Sequence, residues 1–165
     1  MATRRVPDWN LLWNMYYDYY YYPDSYQVKQ LLGGRVATGN INNTCAVRMS
    51  AALNCSGVPI PRYHNNLTTI QDGNGNNIAI RTSELNRWLR YRFGETDFYL
   101  RKQSGEPFDK SQLAGKKGII SFRIKFSDAS GHIDLWDGSK FSSEYRLKKD
   151  YWTLAYRIYF WECGK

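Results

Sequence analysis

The sequence predicts an α+β domain, with helices first and an antiparallel sheet after them. Three observations carry the prediction. Apolar residues recur at helical spacing as far as Phe93, the hydrophobic period changes to two from Gly118 onward, and 14 Tyr, 7 Phe and 6 Trp in 165 residues supply surface for a packed core.

Each element has its own signal. Trp9, Leu12, Trp13 and Tyr16 fall on one helical face, and the Tyr-rich stretch behind them carries the expected helix from Trp9 to Tyr22, just before Pro23. Asp24 to Leu32 reads as a second short helix stopped by Gly33-Gly34. Asn42, Asn43 and Thr44 are all good N-cap types for the next helix, whose apolar run Ala46, Val47, Met49, Ala51, Ala52 and Leu53 ends at Gly57 and Pro59. Only Arg48, Ser50 and Asn54 interrupt that surface, so this helix belongs inside the core. Asp72 to Asn77 reads as a loop, because no Lys-Ser/Thr follows its glycines as a phosphate-binding loop requires. Thr82 to Phe93 is a helix with Leu85, Trp88 and Leu89 on one face and Gly94 as its stop. Gly118 to Phe126 and His132 to Trp136 read as strands joined by a turn over 127–131, and Asp137-Gly138 as a tight turn. Tyr151 to Trp161 reads as a long final strand, bulky on both sides and therefore central. No repeat or long linker divides the chain. Residues 1–165 form one domain, with a helical segment over 1–34, a central helix within 41–57 and the sheet over 118–161.

Charge and cysteine usage exclude several classes. With 23 Lys plus Arg against 15 Asp plus Glu, the formal net charge is +8. That suits a nucleic acid, an anionic membrane surface, an acidic protein or a carboxylate-rich wall polymer, and it equally suits a solvated surface with a modest bias. The basic residues are scattered, and no segment reads as a basic arm or a recognition helix. No run approaches the roughly 18 apolar residues that a spanning helix needs, so membrane insertion is not expected. Asp8 and Asn10 interrupt the N-terminus before an apolar stretch forms, so no Sec signal peptide is expected and synthesis begins in a cytoplasm. The three cysteines, Cys45, Cys55 and Cys163, form no close pair, and with two distant histidines they make no ligand cluster. Neither a metal nor another cofactor is expected.

Cys45 falls in the first turn of the central helix, where unsatisfied N–H groups and the helix dipole favour a thiolate. The same groups can hold an oxyanion. Such a nucleophile needs a base, and only His64 and His132 are available. His64 lies in a polar loop and reads as a surface residue, whereas His132 opens a strand after Gly131. A cysteine at the N-terminus of a central helix, packed on a sheet that carries a histidine at a strand start, is the arrangement of papain-like cysteine peptidases. The plainer alternative is a small buried hydrophobe and a satisfied sheet histidine.

Three motifs add a resemblance. Asn43 to Asn54 followed by Ser56 to Pro61, then Gly115 to Ile120, then Gly131 to Gly138, resemble in order and spacing the motifs of the type VI secretion amidase effectors of the fourth family, over roughly residues 30 to 161. The resemblance implies a papain-like, NlpC-type fold and an antibacterial amidase of the peptidoglycan stem peptide that cleaves between D-glutamate and meso-diaminopimelate. It also implies injection into the periplasm of a rival cell and a cognate immunity protein that protects the producer. The basic charge of the chain makes an acidic immunity protein the expectation. By motif, Cys45 is the nucleophile and His132 the general base, with the Cys45 N–H contributing to the oxyanion hole.

The sequence departs from the family at the third catalytic position. The family carries an acidic residue about eleven positions after the histidine, where this chain has Ser143. Glu144 is one register off. Asp134 shares a strand face with His132, roughly 7 Å along at about 3.3 Å per residue, and is the favoured orienting residue. Asp137 lies farther along and on the opposite face. A polar residue that only shapes the cleft remains the alternative for Asp134. Cys55 and Cys163 are either buried free thiols or a bridged pair. The competing classes are a non-catalytic basic module binding wall polymer or nucleic acid, and a phage or housekeeping wall peptidase of the same fold.

Overall fold

The computed structural model describes residues 5–94, 96–102, 105–125, 131–145 and 149–164. Helices α1 (Trp9–Met15), α2 (Ser25–Leu32), α3 (Gly34–Thr38) and α4 (Cys45–Cys55) come first. A hairpin of β1 (Thr69–Gln71) and β2 (Asn77–Ala79) leads into α5 (Thr82–Phe93). Strand β3 (Phe98–Arg101), β4 (Gly118–Ile124), β5 (Gly131–Trp136), the short helix α6 (Tyr151–Leu154) and β6 (Ala155–Glu162) complete the chain. The four later strands form one antiparallel sheet in the order β3-β6-β4-β5. The final strand is therefore internal, as its two-sided bulk requires, and β5 lies at the edge.

The sheet separates two apolar layers because neighbouring residues of a strand face opposite sides. Ile119, Ile133, Leu135 and Trp161 pack with Met49, Leu53, Leu85 and Trp88 of α4 and α5. Ile120, Phe122, Phe160 and Trp136 pack with Phe141, Tyr151 and Trp152 on the other side. Helix α4 is buried over Cys45 to Leu53, as its nearly continuous apolar surface demands.

Four expectations change. Helix α1 stops at Met15 instead of continuing to Tyr22. Asp18 is the local reason: its Oδ1 accepts the backbone N–H groups of Tyr20 and Tyr21, both at 2.8 Å, which folds the tyrosine run into a turn. The fully buried Arg48 holds that turn from below. Its Nη1 donates to the carbonyls of Tyr17 at 2.8 Å and Tyr22 at 2.7 Å, and its guanidinium lies 3.9 Å from the Tyr19 ring centroid. Second, Gly33-Gly34 starts a further helix, α3, rather than only ending α2. At Gly34, with φ +57°, a Cβ would meet the Asp72 carbonyl carbon at 2.5 Å, so glycine is what lets the β1–β2 turn approach. Third, the Asp72 cluster is the turn of a hairpin, with Asp72 Oδ1 accepting from Asn74 and Asn76. Fourth, residues 151–154 are helical because Asp150 caps them, its carboxylate accepting from the Thr153 N–H and hydroxyl, and the strand starts at Ala155. Phe126 and the expected turn over 127–130 lie outside the described residues. No helix among those described is long and apolar enough to cross a membrane.

Cys45, Cys55 and Cys163 are free thiols, and Cys55 is exposed while Cys163 is buried. The bridged alternative for Cys55 and Cys163 is therefore not adopted. Arg48→Met keeps the side chain's bulk but leaves buried carbonyls of the 17–22 turn without donors. It should lower stability by about 3 kcal/mol, seen as a fall in melting temperature of roughly 6–12 °C. A loss below about 1 kcal/mol in denaturant titration would show that those carbonyls find other partners.

Candidate active site

The N-terminus of α4 abuts the edge strand β5, and this brings Cys45 and His132 together. Cys45 is 1% exposed and His132 3%. Three side chains surround the thiol. Thr82 Oγ1, in the first turn of α5, lies 3.2 Å from Sγ, Asn43 Oδ1 lies 2.8 Å from it, and the imidazole of His132 is hydrogen-bonded to it. The backbone N–H of Ile133 also donates to the sulfur.

The other side of the imidazole is held by Asp134 and Ser143. His132 Nε2 lies 3.0 Å from Asp134 Oδ2 and 2.9 Å from Ser143 Oγ, which leaves Nδ1 as the nitrogen for the thiol. Asp134 is fully buried and its oxygens are well supplied. Oδ1 accepts from the Tyr16 hydroxyl at 3.1 Å and the Leu135 N–H at 2.8 Å, while Oδ2 accepts from the Ser143 N–H at 2.9 Å. Burial keeps the Tyr16 phenol protonated well above its ordinary range, so it acts as the donor. The two residues that sequence reasoning left as alternatives are thus neighbours of one histidine: Asp134 supplies the charge and Ser143 a hydroxyl. Glu144 is exposed and its N–H bonds to the Phe141 carbonyl, away from the imidazole.

The face of the imidazole is covered by Tyr151, whose ring is parallel to it within 4° at 4.4 Å. Tyr19 approaches from another side, with ring centroids 6.3 Å apart. Sequence reasoning found neither Tyr16 nor Tyr151 as a site residue, since both meet the histidine strand only through the tertiary fold. Asn43 was legible as a capping type, and its Oδ1 does accept the Cys45 N–H at 3.0 Å. That bond differs from expectation, because it occupies the N–H assigned to the oxyanion hole. His64 packs beside Tyr91 at 4.8 Å, apart from this network. Among the described residues no group of His, Cys, Asp and Glu has the geometry of a metal site.

Electrostatics couple the two reactive groups. Burial alone would depress the His132 pKa, but its hydrogen bonds to Asp134 and Cys45 outweigh this and push it up to about 9. Burial alone would raise the Cys45 pKa, but the hydrogen bond and charge of His132, with support from Thr82 and Ile133, bring it down. The two shifts run in the sense that favours a thiolate beside an imidazolium. Such an arrangement is suited to nucleophilic attack by sulfur with proton donation from the ring.

An α+β fold with this buried cysteine–histidine pair at a helix N-terminus and sheet edge defines a papain-like cysteine hydrolase. The chain belongs to the family of type VI secretion system amidase effector protein 4, Tae4, whose pattern matches residues 41–161. The Tae4 effector of Enterobacter cloacae is 28% identical, with 99% of this chain and 100% of that chain covered and a TM-score of 0.81. A Tae4–Tai4 effector–immunity complex from the same organism contains a chain 26% identical, covering 96% and 99%, with a TM-score of 0.78. The Tae4/Tai4 effector–immunity system of Salmonella typhimurium offers a chain that shares the fold at a TM-score of 0.80, with 24% identity and coverage of 96% and 99%. No match was found among curated proteins.

The sign of the coupling is testable. Because the His132 pKa is raised in the fold, its contribution to stability is complete below the ordinary value of 6.5 and is lost as pH rises through about 9. The lowered Cys45 pKa gives the opposite limb: its contribution is present above the unfolded thiol pKa and is lost as pH falls through the folded one. The ultraviolet absorbance of the thiolate, taken as wild type minus Cys45→Ser, should appear at lower pH than that of a free thiol. Its appearance only above the free-thiol range, about 8.5, would contradict the pairing.

Proposed function

We propose that Cys45 is the nucleophile of an antibacterial amidase that cleaves the D-glutamate to meso-diaminopimelate amide of the peptidoglycan stem peptide. The observation that carries this reading is the coupled Cys45–His132 pair at the N-terminus of α4, in a chain that belongs to an amidase effector family. The Cys45 thiolate attacks the amide carbonyl, the bond to the leaving nitrogen breaks, and His132 gives that nitrogen its proton. Water then hydrolyses the thioester, with His132 as base. Rotation of Asn43 away from the Cys45 N–H frees that donor for the oxyanion.

Asp134 is the orienting residue in this reading. It holds the imidazole through Nε2 and keeps Nδ1 turned to sulfur, while the Tyr16 hydroxyl and the backbone of Leu135 and Ser143 fix the carboxylate. Ser143 occupies the position where the family resemblance places an acid, and its hydroxyl supports the same nitrogen. The effector acts in the periplasm of the target cell, and the producer is protected by an acidic immunity protein. The solved complexes of relatives with Tai4 support such a partner.

Incubation of purified wall fragments with wild type and Cys45→Ala, followed by mass analysis, tests the nucleophile. The variant should yield no product, and unchanged cleavage would end the proposal. Asp134→Asn should lower kcat by roughly 10²–10⁴-fold, the range for loss of a correctly poised acid–base group. Full activity in that variant, together with loss in Ser143→Ala or Glu144→Gln, would move the orienting role elsewhere.

A further inference from the structure

Beside the catalytic centre lies a cavity of about 580 Å³ that the amide chemistry does not use. Trp13, Tyr20 and Tyr21 line it with aromatic rings, and Asp18, Asp137 and Lys140 line it with polar groups. Its volume falls within the range of roughly 300–1,000 Å³ typical of small-ligand sites. Tyr21 is 72% exposed and Tyr20 62%, so large amphipathic side chains stand in water around the opening.

The polar groups are set for hydrogen bonding to a ligand. Asp18 accepts from Tyr20 and Tyr21 through Oδ1, and Asp137 accepts from Ser139 and Lys140 through Oδ1. Those bonds fix both carboxylates in place on the cavity wall. Lys140 lines the same wall.

The cavity shares a wall with the reactive pair. Ser142 lines it, its hydroxyl accepts the Tyr19 N–H at 3.3 Å, and the next residue, Ser143, is hydrogen-bonded to His132. A ligand there approaches the imidazole from the Ser143 side.

We propose that this cavity is a saccharide subsite that binds the N-acetylated amino sugars of the wall glycan from which the stem peptide hangs. The proposal rests on the stem-peptide reading above. A pyranose presents apolar C–H faces and a rim of hydroxyls, so it stacks on aromatic rings while carboxylates and an ammonium group take the rim.

Two measurements test the subsite. Calorimetric titration of Cys45→Ala protein with chitotetraose, a peptide-free β-1,4-linked N-acetylglucosamine chain, should show binding that weakens at least tenfold when Tyr21→Ala or Trp13→Ala is added. In turnover, wild type should favour a disaccharide-linked stem peptide over the free stem peptide by tenfold or more in kcat/KM. Tyr21→Ala should abolish that preference without changing turnover of the free peptide. Absence of chitotetraose binding, or equal loss on both substrates, overturns the subsite. So does a Tyr21→Ala variant that loses affinity for its immunity protein while its sugar binding is intact. If wild type cleaves neither substrate, the amidase reading fails, and the titration still decides the subsite on its own.

Discussion

The Asp134 carboxylate is the group around which the rest of the site is arranged. It is a fully buried charge, and such a charge survives in an apolar interior only when it is paired and hydrogen-bonded. Its partners come from three parts of the chain: Tyr16 from the end of α1, His132 and Leu135 from β5, and Ser143 from the turn behind the sheet edge. Satisfying one carboxylate therefore brings three distant segments into register. Removing any partner leaves an unmet demand in the core, which is why the network holds as a unit.

Burial of the reactive pair works in two directions. It penalises the charged form of each group and at the same time strengthens the attraction between thiolate and imidazolium. The second effect prevails because the imidazole is charged from behind by Asp134. The Tyr151 ring, lying flat on the imidazole, limits how far it can turn and keeps water from that face. Thr82 and the Ile133 N–H add neutral donors to sulfur, so the thiolate is not dependent on a single contact.

What the sequence disclosed follows the range of the interactions involved. Cys45 was legible because helix caps and apolar runs are local signals, and Asp134 because a strand repeats every two residues, so 132 and 134 share a face without tertiary knowledge. Tyr16 was not legible as a partner of Asp134: 118 residues separate them, and nothing in a tyrosine run says which ring turns inward. The same limit hid Tyr151 and the buried role of Arg48. The errors of extent have local causes that composition masks. Asp18 bonds its own turn where the tyrosines suggested continued helix, and Asp150 caps a helical turn at the start of a run with strand character. Strand β3 was missed because it is short and is defined by its pairing with β6.

Arg48 links Cys45 and the surface in a further way. It sits three residues after Cys45 on α4, and the carbonyls it grips belong to the turn that carries Tyr20 and Tyr21 to the outside. Thiol and aromatic rim are consequently fixed to one rigid helix turn, with a pitch of about 5.4 Å. Most enzymes that choose among polymers do so by adjustable loops. Here Arg48 ties the aromatic turn to the helix that carries Cys45, so a disturbance at that one side chain reaches both.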